Sequence, residues 1–199
     1  MTDTIIRRIM HEAEKNDGII RTGQIEELGI PRRNIRLLLD AGALVKESKG
    51  LYSVPEISPD EYAVLQSRSD MLIFSYGTAL FFHGLSDRVP HTIDITVPQG
   101  YNVGRLKKSY DNLRFHYVKP DVLKIGAVEV ITPQGSKVTA YDKERCICDL
   151  IKEEGKIDKQ IYTQAIKEYF SGEYKPRAIL KIAKAIGVES EVRRYMEVL

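Results

Sequence analysis

The chain has 199 residues, with 30 Lys and Arg against 28 Asp and Glu, a formal net charge of +2. That balance excludes a protein that coats nucleic acid by bulk positive charge, and leaves room for a binder whose cations gather on one face. Hydrophobic residues at 43% and charged residues at 29% exclude a largely disordered chain and fit one large or two small globular domains.

No apolar run reaches the roughly 20 residues of a membrane span. The N-terminal MTDTIIRRIMHEAEKNDG carries acids and lacks the apolar stretch of a secretion signal, so a cytoplasmic location is expected. Cys146 and Cys148 stand one residue apart on a helical segment. That spacing is awkward for a disulfide, and without nearby His it makes a poor zinc site, so reduced, partly buried thiols are expected.

In chain order, a first helix runs from about Asp3 to Lys15, with Ile5, Ile6, Ile9, Met10 and Ala13 on one face. Asn16-Asp17-Gly18 ends it, and Ile19-Ile20-Arg21 reads as a short strand. Thr22 reads as the N-cap of a second helix, TGQIEELG, closed by Gly29. Pro31 opens a third, PRRNIRLLLDAG, closed by Gly42, with Ile35, Leu38 and Leu39 facing inward. Leu44-Val45 and Leu51 to Val54 are strand-like, with residues 46–50 as the turn between them. This order is that of a winged helix-turn-helix spanning residues 1–55.

Within that module, Arg32, Arg33 and Arg36 fall in the first turn and a half of the third helix, the part that enters the major groove. Asn34 adds a side chain able to bond adenine with two hydrogen bonds. Thr22 and Gln24 are placed to touch phosphate, and Lys46 and Lys49 flank the wing. Residues 1–60 net −1, yet 31–39 contain three arginines and no acid. Winged helices also serve as protein-interaction modules. Arginines grouped at the start of the third helix, with two wing lysines, favour DNA.

After a linker at residues 55–59, a second domain over 59–199 mixes strands and helices and turns wholly helical from about 142. FSYGTALFFHGL reads as helix, and TIDITVP, LRFHYVKP and AVEVITP as strands. Gly77-Thr78 followed by Asp94 on a strand echoes a nucleotidyltransferase, in which a Gly-Thr turn grips a triphosphate and Asp-x-Asp holds magnesium. Here the strand reads Asp94-Ile95-Thr96, and one carboxylate with a hydroxyl holds such an ion poorly. Glu129, on a later strand, does not replace the missing acid.

The chain resembles the AbiEi antitoxins of bacterial abortive-infection (type IV) toxin–antitoxin systems. The resemblance is carried by the winged helix, Ser75-Tyr76 through Ala79-Leu80, His83-Gly84-Leu85-Ser86-Asp87 and Pro90. It continues through Ile131-Thr132, Glu144-Arg145 and Asp149-Leu150-Ile151. It implies a non-enzymatic phage-defence antitoxin that also represses its own operon. The winged helix would bind inverted repeats of double-stranded operator DNA. The C-terminal domain would counteract a nucleotidyltransferase-like AbiEii toxin without a stable complex. The DNA-facing positions carried over are Arg32, Arg33, Asn34, Arg36, Lys46 and Lys49.

The remaining histidines and serines form no grouping with metal-ligand or nucleophile spacing, and His83, among Phe81, Phe82 and Leu85, reads as a packed histidine bonded to a backbone carbonyl. No metal or cofactor is expected. Arg177, Lys181 and Lys184 mark one face of a late helix, either a solvated face or a second basic surface for DNA or RNA. A single winged helix buries little surface on DNA, so two copies on paired half-sites are expected, as cooperative monomers or a weak dimer. The reading is thus an α+β protein: a winged helix followed by a mixed domain that echoes a degenerate nucleotidyltransferase, acting as antitoxin and repressor. The alternatives are a nucleotidyltransferase-related enzyme and a plain winged-helix regulator.

Overall fold

Isoleucines three and four residues apart give the first helix, α1 (Thr2–Glu14), a face on which Ile9 and Ala13 are buried and Ile5, Ile6 and Met10 pack alongside. Gly18 terminates it in a left-handed conformation and donates its N–H to the Ala13 carbonyl at 2.9 Å. A β-carbon there would sit 2.8 Å from Ile57 Cγ2, so the position needs glycine for space as well as for φ. The computed structural model describes residues 2–198 and resolves into two units. One runs to Arg68 and takes in residues 133–136; the other holds 69–132 and 137 onward.

In the first unit α1 is followed by β1 (Ile19–Arg21), α2 (Thr22–Glu27), α3 (Asn34–Asp40), β2 (Val45–Ser48), β3 (Leu51–Ser53) and α4 (Glu61–Gln66). The strands form an antiparallel sheet in the order β1-β3-β2. This is a winged helix-turn-helix. Ile20, Ile25, Ile35, Leu38, Leu44 and Tyr52 fill its core with α1, each fully buried aliphatic contributing about 1.5–3 kcal/mol. Val64 of α4 covers the opposite side of the sheet, against Ile19 and Leu51.

Three local expectations are corrected. Thr22 is the first helical residue of α2 rather than its cap; Arg21 holds the cap position, and the Gln24 Oε1 accepts the Arg21 N–H at 2.9 Å. The third helix begins at Asn34, not Pro31: the carbonyls of Pro31 and Arg32 accept the N–H groups of Asn34 and Ile35, an i→i+3 pattern that winds 31–33 as a tighter turn. Lys46 to Ser48 belong to strand β2, leaving Lys49-Gly50 as the wing turn, with Gly50 left-handed.

In the second unit the elements are β4 (Ile73–Phe74), α5 (Tyr76–Phe82), β5 (Ile93–Pro98), α6 (Gly104–Ser109), β6 (Leu113–Val118), a 3-10 turn (Pro120–Val122), β7 (Ala127–Ile131), β8 (Lys137–Tyr141), α7 (Lys143–Lys152), α8 (Lys159–Ser171), α9 (Pro176–Ile186) and α10 (Glu189–Val198). Among the described residues the strands form a mixed sheet, ordered β6-β5-β4-β8-β7. β5 pairs antiparallel with β4 and parallel with β6; β8 pairs parallel with β4 and antiparallel with β7. The stretch expected as one helix over 74–85 is split: Phe74 ends β4, and the helix starts at Tyr76.

Helix α7 is the centre of the helical part, packed against α5, α8, α9 and α10. Asp142 caps it, accepting the Arg145 N–H at 2.7 Å. Ile147, Leu150 and both cysteines are buried along it. Burial pushes the Cys148 thiol up to about 12 and the Cys146 thiol well above its usual range, so both are unreactive thiols.

Candidate nucleic-acid interface

The side chains expected to meet DNA lie at the edge of the winged helix formed by the start of α3 and the wing. Arg32 and Arg33 are exposed on the tight turn ahead of α3, and Arg36 is exposed one turn further on. Asn34, the first residue of the helix, is half-buried. With Ile35 and Leu38 in the core, position 36 falls on the outer side of a 3.6-residue helix, and the tighter turn ahead of it leaves Arg32 and Arg33 in solvent.

The run is less purely positive than its sequence implies. Arg36 Nε lies 3.9 Å from Asp40 Oδ2, an exposed i,i+4 pair. Such pairs contribute at most about 1 kcal/mol, so the arginine is free to exchange Asp40 for a phosphate.

Thr22 and Gln24 are engaged locally. The Thr22 N–H and hydroxyl both donate to the Gly50 carbonyl, at 3.0 and 3.4 Å, tying the start of α2 to the wing turn. Gln24 spends its carbonyl oxygen on the Arg21 N–H. Lys46 on β2 and Lys49 in the turn are both exposed. Between them the register of the β2–β3 ladder shifts, and Glu47 is half-buried at the irregularity. Its carboxylate accepts a hydrogen bond from the buried Ser53 hydroxyl at 2.6 Å, and its carbonyl accepts one from Arg68 Nη2 at 3.2 Å.

One feature of this face escaped the sequence reading. Leu37 is 65% exposed on α3, beside Arg36. Its signal was its phase, since it falls between the inward Ile35 and Leu38.

Residues 7–55 match the model of a family described as "Transcriptional regulator, AbiEi antitoxin". Over this winged-helix domain the chain is similar to the AbiEi antitoxins. The AbiEi family is one of regulators and antitoxins rather than of enzymes. Among solved structures, the chain is similar to the crystal structure of the RV2827C protein from Mycobacterium tuberculosis, with a TM-score of 0.60 and 13% identity, covering 98% of this chain and 81% of that one. At that identity the likeness is one of fold. No curated protein matches the chain. No described helix is long and apolar enough to cross a membrane.

Outside the winged helix, the other singled-out residues fall into two groups. Arg177, Lys181 and Lys184 are exposed together along α9, whose other side buries Ile179, Ile182 and Ala183. Asp94, by contrast, is 1% exposed at its side chain on β5 and is bonded to Arg114 and His116 of the neighbouring β6. Gly77 packs beneath it: a β-carbon there would stand 3.2 Å from Asp94 Oδ2. His83 donates Nε2–H to the Tyr141 carbonyl at 2.7 Å, and burial lowers its pKa.

Proposed function

We propose that the protein is the antitoxin of a type IV abortive-infection system that also represses its own operon. The observation that carries this reading is the exposed group Arg32, Arg33 and Arg36 at the start of α3, within a domain that matches the AbiEi family. Guanidinium groups at a recognition-helix start donate to phosphates and to guanine edges, and the wing lysines add backbone contacts. The DNA partner is an inverted repeat near the promoter, occupied by two copies, because one winged helix covers too little surface for tight binding. The basic face of α9 is a second candidate surface for nucleic acid. The second unit opposes the action of a nucleotidyltransferase-like toxin without a lasting complex, inside the cytoplasm. A transferase role for this chain itself is disfavoured because Asp94 spends its carboxylate on Arg114 and His116.

Two measurements test the proposal. In a mobility-shift titration, the full chain should retard DNA from upstream of its own reading frame more tightly than unrelated DNA. Expression of the chain should restore growth to cells expressing the neighbouring toxin gene. Retardation without rescue would leave a plain regulator, and rescue without retardation would remove the repressor role.

A further inference from the structure

A cavity of about 470 Å³ opens in the second unit, walled by β6, the 3-10 turn, α7 and the end of α9. That volume lies in the range of small-molecule sites. Tyr76, His116, Arg145 and Asp149 line it, and Lys119 and Lys152 stand among its outer residues.

Tyr76 has φ +43°, a left-handed conformation that is strained for a residue with a β-carbon. The surrounding turn is pinned to β5 and holds it there: the Ser75 N–H donates to the Asp94 carbonyl at 3.0 Å, and Thr78 Oγ1 accepts the Asp94 N–H at 2.9 Å. The result is a phenol ring stacked on His116, with centroids 3.9 Å apart and planes 24° from parallel. His116 is fixed in turn by its bond to Asp94 at 2.7 Å.

Arg145 is 1% exposed. Its Nε reaches both oxygens of Asp149 at 3.0 Å, and its Nη1 donates to the carbonyls of Val122 and Ile125 at 3.0 and 2.7 Å. Nη2 has no hydrogen-bond partner among the described residues. Neither does the hydroxyl of Tyr76, a residue 9% exposed. Two donors with unspent capacity therefore line one solvent-reached cavity. An acceptor-bearing occupant that shields them from water can take a hydrogen bond from each.

Charge selects the occupant further. Arg145 and Asp149 cancel in the floor, while Asp121 and Glu153 offset Lys119 and Lys152 around it. A bare anion would meet Asp149 and a bare cation Arg145. A flat, uncharged ring with carbonyl or ring-nitrogen acceptors can meet both donors at its edge, with the Tyr76 hydroxyl donating in the plane of its own ring.

We propose that this cavity binds a nucleobase, carried by a free nucleotide or by the end of a single strand. Tyr76 and Arg145 donate to the base, and the exposed Lys119 meets its phosphate. Calorimetric titration of the full chain with the four ribonucleoside monophosphates, ribose 5-phosphate and inorganic phosphate tests the assignment. At least one monophosphate should bind saturably, and the two base-free compounds at least about tenfold more weakly. Tyr76→Phe, which removes only the hydroxyl, should weaken the base-bearing ligand by about tenfold at an unchanged melting temperature. Lys119→Ala, on the surface, should weaken a monophosphate more than its nucleoside. A short single-stranded oligonucleotide binding tighter than the mononucleotide assigns the strand end, and the reverse assigns the free nucleotide. Absence of saturable binding by any monophosphate at millimolar concentration overturns the proposal, as does equal binding of ribose 5-phosphate, or a Tyr76→Phe protein that folds and binds unchanged.

Discussion

The guanidinium of Arg114 clasps the carboxylate of Asp94 with two parallel bonds, Nε to Oδ1 at 2.5 Å and Nη2 to Oδ2 at 2.8 Å. Burial alone would raise the Asp94 pKa, but the hydrogen bonds from Arg114 and His116 outweigh it and hold the carboxyl below its usual value. The acid on which any likeness to a magnesium-dependent transferase rests is thus committed to neighbouring strand β6. Asp94→Asn should lower unfolding free energy at neutral pH by about 2 kcal/mol, less than a fully buried pair would lose because Arg114 is largely exposed. A carboxyl with a depressed folded pKa contributes stability above its unfolded value near 3.8, lost as pH falls through the folded one. The gap between wild type and variant in urea titrations should therefore narrow at strongly acid pH.

The arginines ahead of and within α3 give a sharper test of the DNA-binding reading. Removing Arg33 and Arg36 together should weaken operator binding and reduce the slope of log affinity against log salt by about two. An unchanged affinity would remove α3 from the interface.

Asp40 offers the opposite experiment. It stands 3.9 Å from Arg36 and on the same exposed edge, so it competes for the guanidinium and repels phosphate. Asp40→Asn should tighten DNA binding about threefold to tenfold at low ionic strength, with the gain fading as salt rises. A weaker complex would place Asp40 in a direct base contact.

His83 couples the second unit to mildly acid pH. Burial, more than the neighbouring Lys143, lowers its pKa, against the raising effects of its bond to the Tyr141 carbonyl and of Glu144. A histidine held neutral stabilises the fold above its ordinary value near 6.5, and that contribution is lost as pH falls below it. Urea midpoints should drop on acidification from pH 7, and less so in His83→Gln, which keeps a donor without titrating. Parallel curves for the two proteins would show that His83 carries none of the effect.

Both cysteines should resist alkylation in the native protein and react once it is unfolded. Their sulfurs lie inside α7 at 3.6 and 3.7 Å from the carbonyls of Tyr141 and Ile179, with pKa values raised by burial. Fast labelling of either thiol without denaturant would contradict the packing of α7 against α9.

The winged helix was legible in the sequence because its boundaries are written locally. Gly18, Gly29, Gly42 and Gly50 all take left-handed conformations at element ends, and the apolar spacing of α1 and α3 maps directly onto the core. What failed was finer: the i→i+3 turn at Pro31 to Arg33 and the cap at Arg21 depend on hydrogen bonds that residue types alone leave degenerate. In the second unit, β8 and α6 went unread, since KVTAY and GRLKKS are too short for their periodicity to stand out. The cavity was legible only in fragments. Tyr76, Arg145 and Asp149 all lie in segments that carry the AbiEi resemblance, but α5 and α7 meet through the tertiary fold. Nothing in the spacing announces that Arg145 and Asp149 form one ion pair or that Tyr76 stacks on His116.

The irregular rung at Glu47 has an effect beyond the hairpin. Read as letters, Lys46-Glu47-Ser48-Lys49 is a mixed-sign segment with little to offer a polyanion. The bulge rotates the acid toward Ser53 and leaves both lysines in solvent, so backbone geometry sorts the charges by sign. The wing thus presents a surface more cationic than its composition, achieved by a change of register rather than by a change of residue.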